Sequence, residues 1–249
     1  MKVLGIIPAR FASTRFPGKP LAHIHGKSMI QRVYERASLS GKLSLVVVAT
    51  DDQRIFDHVK EFNGEVVMTS PSHASGTDRC AEALKIKGKD FEVVVNIQGD
   101  EPYIHPGQID LLVDCFQNKE VLIGTLIKKV KTAEELQNQN IPKVVKDLAG
   151  WALYFSRQAV PFCKPEQMED FISRGNFYKH IGIYGFRAEV LAVLALLPAS
   201  RLETSESLEQ LRWLENGYKI MTRITEQDNM AVDNPGDVAR IEARYDKSD

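Results

Sequence analysis

Residues 93 to 102 read VVVNIQGDEP, and the fold follows from how this stretch is read. Val93, Val94, Val95 and Ile97 are apolar without alternation, the pattern of a strand buried on both faces of a parallel sheet. Gly99-Asp100 then turns the chain, and Pro102 prevents regular continuation. Asp100 is therefore expected in the open at the carboxyl end of a strand. Similar apolar runs occur upstream: VLGII at 3 to 7, LVVVAT at 45 to 50 and VVM at 66 to 68. Helical stretches at roughly 28 to 40, 52 to 61 and 77 to 86 separate them, which predicts an α/β fold with a mostly parallel, doubly wound central sheet. Each strand runs into a polar segment, PARFASTRFPGK, ATDD, TSPSHASGTDR or QGDEP. Ligands of open parallel sheets bind beyond the carboxyl ends of the strands, so these segments are expected to share one rim.

Past residue 120 the pattern changes. VLIGTLIKKV, KVVKD, WALYFS and HIGIYGF alternate with polar connectors, which predicts antiparallel or mixed pairing. We expect a single domain over 1–249, with a core of about 1–120 and 186–249 and a smaller mixed-strand insertion at about 120–185. Helices are expected at 187–197, ending before Pro198, and at 205–215. The second would carry Leu208, Leu211 and Leu214 on one face, a Thr204/Ser205 cap and an Asn216-Gly217 stop. Strand-like KIMTRIT and a helix opening at Pro235 complete the pattern.

A chain of 249 residues, 43% hydrophobic and 26% charged, is long enough for a sizeable core. The formal net charge of −1 gives little long-range attraction to polyanions and argues against general nucleic-acid binding. Cys80, Cys115 and Cys163 are odd in number and lie far apart, so neither a disulfide framework nor a zinc site is expected. No apolar run approaches the roughly 20 residues of a membrane span, and the first strand begins too early for a signal peptide. A cytoplasmic protein without membrane insertion is the expectation.

The first 36 residues hold seven basic side chains, Lys2, Arg10, Arg15, Lys19, Lys27, Arg32 and Arg36, against Glu35 alone. Within them, Pro8-Ala9-Arg10-x-x-Ser13-x-Arg15-x-x-Gly18-Lys19 places three cations and a hydroxyl on the loop leaving the first strand. A phosphate group needs both charge and donors there. The loop matches neither a Walker A motif nor GxGxxG, and a solvated basic face is the plainer alternative. Asp100 and Asp233, the latter in Ala-Val-Asp-Asn-Pro, suit magnesium, which takes few protein ligands and fills its shell from phosphates and water. Asp233 before a helix is also what a simple N-cap looks like. Ser75-Gly76-Thr77-Asp78-Arg79 opens a helix, as an anion receptor or as a plain cap with a solvent-facing arginine. His180 and Tyr184 fall on the same side of a strand, where they line a pocket or sit as satisfied core residues.

Taken in order, IPARFASTRFPGKPL, ATDD, SGTDR, NIQGDEP, KHIGIYGFR, LEQLRWLENG and AVDNPGDV resemble the 3-deoxy-manno-octulosonate cytidylyltransferase family, the CMP-Kdo synthetases, over nearly the whole chain. The first motif is shared with sugar nucleotidyltransferases at large; SGTDR, KHIGIYGFR and LEQLRW point to the Kdo branch. The resemblance implies a Rossmann-like nucleotidyltransferase fold, CTP and Kdo as substrates, magnesium as cofactor and a place in lipopolysaccharide synthesis. By position it implies that Ala9, Arg10, Ser13, Arg15, Lys19 and Gln98 bind the nucleotide and that Asp100 and Asp233 hold magnesium. Asp100, Asp233, Lys19 and Arg10 would act in catalysis. Arg79, Gln98, His180, Tyr184, Glu209 and Gln210 would surround the sugar acid, with Arg79 on its carboxylate. The nearest rival is the same transfer to another acid sugar, 8-amino-Kdo or sialic acid.

A homodimer is also expected. Residues 151 to 186 contain Trp151, Tyr154, Phe155, Phe162, Phe171, Phe177, Tyr178, Tyr184 and Phe186, nine of a total of 11 Phe, 7 Tyr and 2 Trp. An insertion has too little volume to bury nine rings, and aromatic enrichment marks interface cores; dimers in the resembling family point the same way.

Overall fold

The computed structural model describes residues 1–13, 15–88 and 90–245. The first half contains β1 (Val3–Ala9), a hairpin of β2 (His23–Ile24) and β3 (Lys27–Ser28), α1 (Met29–Ser38), β4 (Leu45–Thr50), α2 (Gln53–Glu61), β5 (Val66–Met68), α3 (Gly76–Lys87), β6 (Val93–Asn96) and α4 (Pro106–Asp114). The second contains β7 (Ile123–Lys129), α5 (Ala133–Gln137), β8 (Lys143–Lys146), β9 (Ala152–Ser156), α6 (Met168–Ser173), β10 (Tyr178–Arg187), α7 (Ala188–Leu194), α8 (Arg201–Glu206), α9 (Gln210–Glu215), β11 (Ile220–Ile224) and α10 (Pro235–Arg244).

Seven strands form the central sheet in the order β11-β7-β10-β6-β1-β4-β5, and β8 and β9 extend it beside β10. β1 is parallel to β4 and β6, β4 to β5, and β7 to β11, whereas β10 is antiparallel to both β6 and β7. One reversed strand thus stands in an otherwise parallel sheet. Its reversal matters, because the amino-terminal part of β10 reaches the rim where its neighbours end.

Strand residues alternate between two cores. Val3, Ile7, Val93 and Val95 face α1, α2 and α4, whereas Leu4, Ile6, Val94, Tyr184 and Phe186 face α3, α7 and α9 around Trp213. Both faces are covered, which is why these strands read as unbroken apolar runs. A third cluster of Ile24, Met29, Tyr103, Val232 and Ile241 holds the β2–β3 hairpin against α10.

Two expectations are corrected. Residues 120–185 do not form a separate subdomain, since β7 and β10 are internal strands of the central sheet. Residues 130–177 carry β8 and β9, which extend the sheet, and add a small core of Val130, Leu136 and Phe177. The change of pattern after 120 marks the reversed strand, not a boundary. The expected helix at 205–215 is two helices: Ser200, not Thr204 or Ser205, caps α8 through a capping box with Glu203, and Ser207 breaks the path in the left-handed region at φ 53°. Arg157 holds that break by donating to the carbonyls of Glu206 at 2.7 Å and Ser207 at 3.1 Å. Leu208 and Leu211 still enter the core, so the apolar spacing was real although the helix is interrupted.

Candidate active site

The loop after β1 meets the turn that follows β6 and the segment between β11 and α10. Gly99 makes this approach possible, because a Cβ there would meet the carbonyl oxygen of Pro8 at 2.9 Å. Gly18 turns with φ 71° and delivers Lys19 to the rim. Its ammonium donates to Asp100 Oδ2 at 2.6 Å and to the carbonyl of Val232 at 2.8 Å, and the Val232 amide donates to the Asp100 carbonyl at 2.9 Å. Asp100 and Val232-Asp233, far apart in sequence, are thereby fastened together. Arg15 pairs with Asp233 Oδ1 at 3.0 Å, with both partners exposed. Such a pair contributes about 0–1 kcal/mol and opens readily. Arg10 is exposed at the same loop, and Ser13 Oγ accepts from the Phe16 amide at 3.4 Å.

Asp233 has no capping duty. Asn234 caps α10 in a capping box with Asp237, leaving the Asp233 carboxylate to Arg15. Asp100 and Asp233 are hard oxygen donors, partnered here by cations that a phosphate would also attract. Among the described residues no group of three or more His, Cys, Asp or Glu side chains is arranged for a metal, so any ion here would draw most of its shell from water and phosphate oxygens. The pair fits magnesium on those terms.

Beside this charged rim lies a set of buried polar atoms without partners: Asn96 Oδ1, Tyr184 Oη, Glu209 Oε1 and Gln210 Nε2. Buried polar groups are almost always hydrogen-bonded, so unpaired ones need an explanation. Tyr184 stands directly across from Asn96 in the β10–β6 register, and Glu209 Oε2 accepts from Thr77 Oγ1 at 2.8 Å. Burial raises the Glu209 carboxyl above its ordinary range, with Thr77 pulling it back. Burial also lifts the Tyr184 phenol, and the Glu209 charge adds to that. His180 packs edge-on to Phe155 at 5.4 Å and tilted to Tyr184 at 5.1 Å. Desolvation depresses its pKa to about 3, so the ring is neutral. Thr125 Oγ1 spends its one proton on the Ile183 carbonyl at 2.7 Å and therefore accepts from His180 Nε2 at 2.9 Å, which assigns the ring proton to Nε2. A register shift between Ile181 and Tyr184 brings Gly182 beside Gln98, whose Cγ would lie 3.9 Å from a Cβ there.

Residues 4–220 match the family described as Cytidylyltransferase. The chain belongs to this cytidylyltransferase family. It is 52% identical to the 3-deoxy-manno-octulosonate cytidylyltransferase of Parabacteroides distasonis, over 96% of each chain. It is 53% identical to the protein of that name from Bacteroides thetaiotaomicron, over 97% of each. A solved CMP:2-keto-3-deoxy-manno-octonic acid synthetase complexed with CTP superposes with a TM-score of 0.90 at 37% identity, covering 98% of both chains.

The structure of this cytidylyltransferase brings Lys19, Arg15, Asp100 and Asp233 into one contact set, and Tyr184, His180 and Glu209 into another, with Gln210 buried next to Glu209 in the chain. Ala9 is buried in β1 and reaches the site only through its backbone. Arg79 departs from expectation. It is 4% exposed and committed inward, donating to Thr69 Oγ1 at 2.6 Å and pairing with Asp51 at 2.8 Å. The reason is helical phase: Ser75 caps α3 with Asp78 in a capping box, which turns the fourth helical residue toward β4 and β5. An open receptor for a carboxylate is not what Arg79 presents here. Two members of the site were missed in the sequence. Asn96 is the polar end of an apolar strand, a signal that was available in VVVN, whereas nothing in SGTDR distinguishes Thr77 as the partner of Glu209.

Proposed function

We propose that this cytidylyltransferase transfers CMP from CTP to the anomeric hydroxyl of 3-deoxy-manno-octulosonate, releasing pyrophosphate and supplying lipopolysaccharide synthesis in the cytoplasm. One observation carries the reading: a rim of matched cations and carboxylates adjoins a cluster of unpaired buried polar atoms, a phosphate site beside a polyhydroxylated-ligand site. The near-full-length relatives carry the name of that activity. Among the described residues no helix is long and apolar enough to cross a membrane.

In the free protein Lys19 and Arg15 are held by Asp100 and Asp233. A triphosphate draws the two cations, with Arg10 and the Ser13 hydroxyl, onto its oxygens. That exchange uncovers both aspartates for magnesium, which when bound supplies neutralisation of phosphate charge. Tyr184, Glu209, Gln210 and Asn96 meet the sugar's hydroxyls, so the orphaned atoms find partners only when it is seated. The anomeric oxygen attacks the α-phosphorus in line. A bond forms there as the bond to pyrophosphate breaks, and the hydroxyl proton leaves to solvent. Arg10, Arg15 and Lys19 neutralise the departing charge; positioning and electrostatics suffice without a covalent nucleophile. Pyrophosphate release measured with each of four nucleoside triphosphates against Kdo, 8-amino-Kdo and sialic acid tests the assignment. Turnover restricted to CTP and Kdo is expected, and preference for another acid would overturn the sugar.

The homodimer belongs to the same proposal, on changed grounds. Phe155, Phe177, Tyr184 and Phe186 are buried within the chain, so the aromatic count no longer argues for an interface. Leu148, Leu153 and Phe162, exposed on and beside the β8–β9 hairpin, support one. Sedimentation of a species near 28 kDa, unchanged by CTP and Kdo, would sink it.

A further inference from the structure

Between β11 and α10, residues 225–233 cross from the sheet to the site without helix or strand, and Asp233 is at their end. A segment of this kind would ordinarily present its last side chain over a range of positions. Here it is tied along its length. The Thr225 amide donates to the Ile127 carbonyl at 2.9 Å, Asn229 Nδ2 to Glu101 Oε2 at 2.6 Å, and the Val232 amide to Asp100.

Next to the first of these ties lies an unusual group. Lys128 is 2% exposed, and its ammonium donates to the Glu226 carbonyl at 2.8 Å and to Asp228 Oδ1 at 2.7 Å. Lys179, its neighbour in the β10–β7 register, adds a contact to Asp228 at 3.5 Å and pairs with Glu135 at 2.7 Å. Burying an ammonium is unfavourable unless it is paired and fully hydrogen-bonded. Neither the triphosphate contacts nor the sugar contacts employ Lys128. What it holds is the segment that ends in Asp233.

We propose that Lys128 is a positioning residue for Asp233: through Glu226 and Asp228 it fixes residues 225–233, so that the Asp233 carboxylate is already in place beside Asp100 before metal and nucleotide arrive. This rests on Asp233 serving the magnesium site. An anchored carboxylate spares the ordering that a loose one would undergo on binding, and the effect should fall on magnesium and CTP, not on the sugar acid.

The test pairs hydrogen–deuterium exchange of the ligand-free protein with steady-state kinetics. Lys128→Met removes the charge while filling most of the same space, and because its partner Asp228 is 43% exposed the carboxylate left behind stays solvated, unlike one in a fully buried pair. The peptide covering 225–233 should then exchange roughly tenfold faster while the core strands stay protected. The magnesium concentration for half-maximal activity should rise about tenfold with KM for Kdo unchanged. Asp228→Asn, on a partly exposed side chain, should shift both readouts in the same direction and covers the case in which Lys128→Met does not fold. Lys129→Met, exposed on the same strand, should alter neither. Unchanged exchange at 225–233 would overturn the anchor. Faster exchange with an unmoved magnesium requirement would overturn its role in positioning, provided Asp233→Asn shifts that requirement; if Asp233→Asn also leaves it unmoved, the metal assignment itself fails.

Discussion

Replacing Tyr184 by Phe removes one oxygen atom and leaves the ring in place. The ring lies against Trp213 at 5.0 Å, Phe186 at 6.0 Å and His180 at 5.1 Å, contacts that do not involve the hydroxyl. That hydroxyl is buried without a partner, a condition that costs about 1–3 kcal/mol. Tyr184→Phe should therefore stabilise the free protein, by at least about 1 kcal/mol, or roughly 2–4 °C in thermal midpoint for a chain of this size. In the complex the same oxygen gains a partner, and losing a neutral hydrogen bond worth about 0.5–1.5 kcal/mol should raise KM for the sugar acid roughly 2- to 12-fold. KM for CTP should not change. Thermal melts without ligand, together with kinetics in which each substrate is varied in turn, read both effects. A lowered melting temperature would show that the hydroxyl is already satisfied in the free protein. An unchanged KM for the sugar would show that the atom does not face it.

Asp100→Asn should nearly abolish turnover at saturating magnesium while far-UV circular dichroism and melting remain close to wild type, because the residue is on an open turn. Wild-type kcat would dismiss its assignment. Arg79→Ala should destabilise the protein by about 3 kcal/mol, the loss expected when one partner of a buried pair is removed, and urea unfolding would read it; unchanged stability would restore Arg79 as a ligand-facing residue. Stability should also fall as pH drops below about 6.5, where an unfolded histidine takes up a proton that folded His180, with a pKa of about 3, refuses. The unfolded state then holds more protons, and each pH unit between those values costs up to about 1.4 kcal/mol, an upper bound because the ring keeps some solvent contact. Urea midpoints from pH 7.5 to 5 should show the slope, and His180→Gln should flatten it.

The parallel half of the fold could be read in the sequence because burial on both faces erases alternation, as in VVVNI and LVVVAT. Antiparallel or mixed pairing past residue 120, HIGIYGF included, was readable too, but that β10 lies inside the central sheet between β6 and β7 was not, since only its neighbours decide that. Asp100 was readable from its place after a strand and Lys19 from its basic loop, whereas Asp233 before a helix looked no different from a plain N-cap until the family resemblance singled it out. Their pairing in the free protein was not readable, because ion pairs between residues so far apart depend on how loops cross. Arg79 shows the limit most clearly. SGTDR announces a helix start, but whether its arginine points to a ligand or into the protein depends on a rotation set by the Ser75–Asp78 cap. Nothing in LIKK or YKH marks Lys128 or Lys179, whose enclosure arises from their contacts with Glu226 and Asp228.

Lys129, at the end of β7, and Tyr178, at the start of β10, are direct register partners. The segment between them is nevertheless woven into the rest of the chain: β8 pairs with the start of β10, Trp151 bridges to Met221 of β11, Val144, Ala152 and Phe155 enter the core around Trp213, and Arg157 fixes the break between α8 and α9. Remodelling it would therefore be felt first at His180, whose ring packs on Phe155, before it reached the Lys19–Asp100 rim.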